Sequence, residues 1–158
     1  FGSGILFGTD TSTDNMLYDY EEGTFVPTAE FATTNPTSGG ITSGEGRYLK
    51  IGGQVTVVVK INNINTTGAS GDLRIKTLPF TSLADSGDGQ ISLYVGSARV
   101  NNINYGSNAY LQSSVPDNTT YIRLEENLDN ATSDIINTGN ISDGVTDVIA
   151  QVTYFTAS

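Results

Sequence analysis

Q-V-T-V-V-V-K-I-N, residues Gln54 to Asn62, alternates with a period of two. Val55, Val57, Val59 and Ile61 fall on one side, and Thr56, Val58, Lys60 and Asn62 on the other. This is the signature of a strand with one face in a core. The apolar Val58 on the polar side predicts partial cover of the second face, for which a neighbouring subunit is a candidate. Gly52-Gly53 just upstream makes a good two-residue turn, so Arg47 to Ile51 is expected to pair with this strand as a hairpin.

Further upstream, residues 32–46 carry Thr33, Asn35, Pro36, Ser38, Gly39 and Gly40 and read as a loop. Phe25 to Phe31 reads as a strand with Phe25, Ala29 and Phe31 inward. Pro27 donates no ladder hydrogen bond, which predicts a sheet edge. Glu21 and Glu22 are too polar to begin a core strand, and Gly23 is expected to allow a backbone turn. Residues 1–20 read as a lead in which Ile5, Leu6 and Phe7, then Met16 and Leu17, are short apolar patches. They would pack either around the axis of an oligomer, as the end of a stalk, or on the domain itself.

Downstream, Asp72 to Leu78 alternates with Leu73 and Ile75 inward and Arg74 and Lys76 outward. Pro79 ends it and Phe80 is expected to plug the core. Asp85 to Gly89 is an acidic glycine turn. Gln90 to Val100 is the next strand, with Ile91, Leu93 and Val95 inward. Ala109 to Val115 and Thr119 to Glu125 are expected to pair across Pro116-Asp117-Asn118, with Ile122 and Leu124 inward and Tyr121, Arg123 and Glu125 outward. Residues 126–140 are rich in Asn and Asp and favour loops, with room for a helical turn. Asp147 to Ala157 closes the chain with Val148, Ala150, Val152 and Tyr154 on one face. About eight short strands punctuated by turns predict an all-β fold, a single β-sandwich or jelly-roll-like domain over residues 21–158.

Composition agrees. The 158 residues are enough for one domain with a real core, and only 15% are charged. Seventeen acidic against seven basic residues give a net charge of −10. No basic stripe is present to hold phosphate backbones, so nucleic acid is not an expected partner. Cys and His are absent, which removes disulfides, thiol nucleophiles, His-based triads and Cys/His zinc sites. No apolar run reaches transmembrane length, so membrane insertion is not expected, and Phe1 to Gly8 lacks the basic and apolar regions of a signal peptide.

The motifs that mimic chemistry are weak. Gly2-x-Gly4-x-x-x-Gly8 has no preceding strand or following helix to cradle a phosphate. Glu21-Glu22 and Glu125-Glu126 are adjacent, so each pair splits between two faces and reads as solvated edge charge. A facing pair such as Glu22 with Glu125 needs coordinates to judge. Asp10 to Asn15 and Asp85 to Gly89 lack the spacing of a calcium loop and read as turns. No cofactor or metal is expected. The surface with most binding potential is N-N-I-N-Y-G-S-N-A-Y, Asn101 to Tyr110, where Asn102, Asn104, Tyr105, Asn108 and Tyr110 are candidate receptor contacts. Amides and hydroxyls can read sugar hydroxyls, and Tyr with Asn suits adaptable recognition surfaces.

D-Y-E-E-G-T-F-V-P-T (Asp19 to Thr28) resembles the "DDYEEGTWTPT" signature that opens C-terminal domains of phage tail-fibre and related virion proteins. Y-L-K-I-G-G-Q-V-T-V (Tyr48 to Val57), L-R-I-K-T-L-P-F-T-S (Leu73 to Ser82) and V-T-Y-F-T-A (Val152 to Ala157) follow in the same order as in that family. Tyr18 stands where the signature has its first Asp and Phe25 where it has Trp, and residues 85–145 carry no family signature. The resemblance implies a non-enzymatic virion protein located on a tail fibre or capsid surface. It implies a homotrimer whose partners are its own copies, other virion proteins and a host cell-surface glycan. Its sequons at Asn65, Asn118, Asn130 and Asn140 would then be incidental. The alternative reading is a capsid decoration protein, head fibre or trimerisation cap without a receptor.

Overall fold

The computed structural model describes residues 9, 19–84, 93–107 and 109–157. It is all-β, with 56% of the described residues in strands or β-bridges, an eight-stranded sheet and a three-stranded sheet. Eleven strands lie in the described residues, against about eight expected, because one expected strand is split in two and two further strands are only two residues long.

The chain enters as β1 (Tyr20–Phe25) and breaks at Val26-Pro27 before β2 (Thr28–Phe31). The expected single strand is therefore two, in different sheets. β1 is the edge of the large sheet, whereas β2 sits in the middle of the small one, between β3 (Thr42–Ser43) and β6 (Leu73–Lys76). Pro27 marks the crossing between sheets, which needs no ladder donor, rather than an edge. Glu21 and Glu22 lie inside β1 because an edge strand tolerates exposed charge.

Gly23 is extended rather than turned, and its role is space. A β-carbon there would lie 2.7 Å from the Tyr48 ring, and one on Gly46 would lie 2.6 Å from the Phe25 ring. Gly23 opposes Tyr48 and Phe25 opposes Gly46 across β1 and β4 (Glu45–Ile51), so each ring covers its partner's bare backbone.

β4 and β5 (Gln54–Ile64) form the expected hairpin, with Ile51 opposite Gln54. Gly52 takes φ 57°, the left-handed region that favours glycine. Val55, Val57, Val59 and Ile61 are fully buried, while Val58 is 43% exposed. β5 then pairs with β11 (Thr146–Phe155), whose Val148, Ala150, Val152 and Tyr154 are buried as expected. On its other edge β11 pairs with β7 (Leu93–Asn101).

The inward side of β7 differs from expectation. Tyr94 is buried and Val95 is 55% exposed. Residues directly opposite in an antiparallel pair share a face. Val100 opposes Val148 and Ala98 opposes Ala150, so the even-numbered side chains of β7 join the buried face of β11. Ile91 and the Asp85 to Gly89 turn lie outside the described residues, as do the patches of residues 1–8 and 10–18.

β8 (Tyr110–Pro116) and β9 (Arg123–Asn127) pair as expected, and β10 (Asp134–Ile135) completes the large sheet. Within 126–140 the one helical element is a single 3-10 turn, Thr138–Asn140, capped by Asn137. Ile122, just before β9, bridges Ile75 of β6 and so stitches the two sheets together. Leu73, Ile75, Ala29 and Phe31 from the small sheet share one buried cluster with the valines of β5 and β11. The result is a sandwich-like arrangement of two sheets over one core. Tyr154 crosses that core and donates its hydroxyl to the Phe80 carbonyl at 2.9 Å. Phe80 itself is only partly buried and packs edge-on against Tyr48, with ring centroids 5.5 Å apart.

Candidate functional site: the loop between β7 and β8

β7 and β8 are antiparallel neighbours, and residues 102–109 connect them. This puts the Asn/Tyr-rich stretch at one end of the large sheet. Four points fix its backbone. Asn102 sits at φ 56°, a conformation Asn tolerates better than most residues. Its Nδ2 donates to the Val145 carbonyl at 2.8 Å and its own carbonyl accepts from Thr146 Oγ1 at 2.9 Å. Ile103 bridges Ile141 and packs against the core. Asn104 donates its N–H to the Asn140 carbonyl at 2.8 Å, and its carbonyl accepts from Asn140 Nδ2 at 2.8 Å. Gly106 donates its N–H to Glu126 Oε2 at 2.8 Å.

With the backbone held, the two tyrosine rings are exposed. Tyr105 is 42% exposed and Tyr110 66%; Asn102 and Asn104 are also exposed. Asn102, Asn104 and Tyr105 thus fall on the connection and Tyr110 opens β8, while Asn108 lies outside the described residues. Val145, half exposed, flanks Asn102. Asn127 lies directly opposite Tyr110 across the β8–β9 ladder, and its Nδ2 is buried without a hydrogen-bond partner. Together these offer two aromatic surfaces and exposed amides, a set that can engage hydroxyl-rich ligands.

Sequence reasoning placed Glu125 outward and treated Glu125-Glu126 as solvated charge. Both are buried, with Glu125 only 3% exposed. Glu125 Oε1 accepts from Ser114 Oγ at 2.8 Å and from Arg123 Nε, while Oε2 accepts from Gln112 Nε2 at 3.2 Å. Burial pushes its pKa up. The hydrogen bonds from Ser114 and Gln112 and the Arg123 charge outweigh that, leaving the carboxyl below its ordinary range. Glu126, on the opposite face, is taken up by the Gly106 backbone. Neither is free for acid–base work, and Glu22 on β1 and Glu125 on β9 stand first and seventh in the sheet order. They do not face each other across a cleft as a glycosidase pair would.

The contributions of Asn140, Val145, Glu126 and Asn127 had no signal in the sequence, since each reaches the loop through long-range pairing. Among the described residues no group of three or more His, Cys, Asp or Glu side chains converges, and no helix is long and apolar enough to cross a membrane. Comparison with protein-family models, with curated proteins and with solved structures finds no match.

Proposed function

We propose that this chain is a phage virion protein, the trimeric C-terminal head of a tail fibre, and that it contributes to recognition of a glycan on the host surface without catalysing a reaction. The observation that carries the binding role is the loop of Tyr105 and Tyr110. Its backbone is tied at four points while both rings stay exposed, so little ordering entropy would be lost on binding. The ordered family motifs support the virion assignment. A jelly-roll-like sandwich suits such a head, and three copies on one fibre would raise avidity without tight single contacts.

The test is attachment of the labelled domain to bacterial cells and purified surface glycans. Replacing Tyr105 and Tyr110 together by Ala is expected to abolish attachment and leave the circular dichroism and melting profile unchanged, since both rings are solvent-exposed. Undiminished attachment would reject the loop as the site.

A second reading, a trimerisation cap or capsid decoration protein, is favoured by one observation. Tyr20, Leu49, Ile51 and Val58 are exposed on the outer face of β1, β4 and β5. A well-folded trimer that binds no cell or glycan would support that reading over the first.

A further inference from the structure

The chain has only seven basic residues against seventeen acidic, yet two arginines border one small cleft. Ile75 and Ile122 exchange backbone hydrogen bonds of 2.8 Å, which places Arg74 and Arg123 as neighbours across the seam between the sheets. Like charges directly opposite on adjacent strands are destabilising unless something offsets them. Each is offset at one end only. Arg123 gives its Nε to Glu125, and Arg74 lies 4.9 Å over the ring of Tyr121. Glu30, opposite Arg74 across β2, is engaged instead by Lys76 at 3.0 Å and by Asn35 and Thr28. Among the described residues no hydrogen bond engages the terminal nitrogens of either guanidinium. Asp72, Leu73, Tyr121 and Ile135 complete the lining of a cleft of about 80 Å³.

We propose that this cleft is an oxyanion site that takes the carboxylate of an acidic sugar, a hexuronate. Two guanidinium groups braced from behind present forked donors to a planar carboxylate. The Asp72 carboxylate in the same lining accepts from a sugar hydroxyl next to that carboxylate. A water claims about 30 Å³ of liquid, so the cleft holds a carboxylate and its adjoining hydroxyl while the ring stays at the mouth.

The site is separate from the tyrosine loop but shares a face of the sheet with Tyr110. Tyr110 opposes Asn127, and Arg123 lies on the same face of β9, four residues or about 13 Å along the strand. An extended acidic glycan could therefore touch both. That this glycan belongs to a host surface rests on the function proposed above; the chemistry of the cleft does not.

The experiment is an NMR titration of the full chain with free glucuronate, glucose and glucose 6-phosphate, following the Tyr121 ring and the arginine side-chain N–H signals. Saturable binding of glucuronate in the millimolar range, with none for glucose, is expected. Arg74→Gln should weaken it about tenfold or more, because a charge-assisted fork is lost. Arg74→Lys, which keeps the charge without the fork, should also weaken it. The Tyr105→Ala/Tyr110→Ala variant should bind glucuronate as the parent does, so failure of the loop and failure of the cleft are read separately. No saturable shift, or an unchanged affinity in Arg74→Gln, would overturn the site. Tighter binding of glucose 6-phosphate than of glucuronate would overturn the carboxylate assignment in favour of phosphate.

Discussion

The β5–β11 ladder and the β8–β9 ladder are both antiparallel and have contrasting contents. Between β5 and β11 the buried side chains are Val55, Val57, Val59 and Ile61 against Val148, Ala150, Val152 and Tyr154. Between β8 and β9 the buried positions include Ser113, Ser114, Glu125 and Glu126, each satisfied by hydrogen bonds. The first ladder is held by removal of apolar surface from water, which is non-directional and tolerant of conservative change. The second is held by directional bonds that fail when one partner is lost. The difference teaches where a ligand can be read. Both proposed sites, the loop and the arginine cleft, lie beside the polar ladder, where hydrogen bonds fix polar groups in place, and the apolar ladder supplies the buried core.

The largest expected effect breaks the apolar ladder. Ile61→Ala should destabilise the domain by about 2–5 kcal/mol through lost transfer energy and the cavity left behind, read from the urea midpoint. A change no larger than that of an exposed position would mean that β5 is not the centre of the core.

Glu125→Ala attacks the polar ladder and should cost about 1–3 kcal/mol, because Ser114, Gln112 and Arg123 lose their acceptor in a site with little water. Its pH dependence separates it from the first. The folded-state pKa of Glu125 lies below its ordinary, unfolded value. Its contribution is therefore present above that unfolded value and lost as pH falls through the folded one. Unfolding measured from neutral pH into the acid range should show this slope in the parent and a shallower one in Glu125→Gln. Glu30 has a carboxyl lowered in the same direction and will leave a residual slope. Burial acts on it in the opposite sense, but hydrogen bonds from Lys76, Asn35 and Thr28 prevail. An unchanged slope in Glu125→Gln would show that the buried carboxylate is not ionised in its pocket.

The smallest effect sharpens the comparison on a single strand. Val58→Thr, one residue from fully buried neighbours, should change stability by no more than about 0.5 kcal/mol in dilute protein. If copies of the chain cover this face, the cost should grow with protein concentration, since association stabilises the folded form by mass action. A concentration-independent loss would remove Val58 from any subunit contact.

The same contrast explains what was legible in the sequence. β5, β6 and β11 announce themselves because apolar side chains fill successive positions of one parity, even where Val58, Ile149 and Phe155 add apolar residues to the other. β7 misleads because Leu93 and Val95 on one parity compete with Tyr94, Ala98 and Val100 on the other, and the choice is made by register against β11, more than forty residues away. Glu125 misleads for a related reason. Charge predicts exposure until a serine, a glutamine and an arginine from paired positions converge on it. The tyrosine loop was visible as composition, but its anchors Asn140 and Glu126 are not, and the nearness of Arg74 to Arg123 follows only from the Ile75–Ile122 bridge. Local pattern reports which residues prefer a core; the partners of polar groups are decided by topology.

β11 has a consequence for how the protein is made. It is synthesised after every other strand of the large sheet, yet it lies in the middle of that sheet, between β5 and β7. Until Thr146–Phe155 has left the ribosome, two apolar strands carry open edges that can template association with other nascent chains. Closing the sheet then requires contacts across roughly ninety intervening residues, a slow step for any chain dominated by distant pairings. Ribosome-bound intermediates that stop short of Thr146 should depend on chaperones, and their release should be followed by rapid gain of protease resistance once β11 inserts.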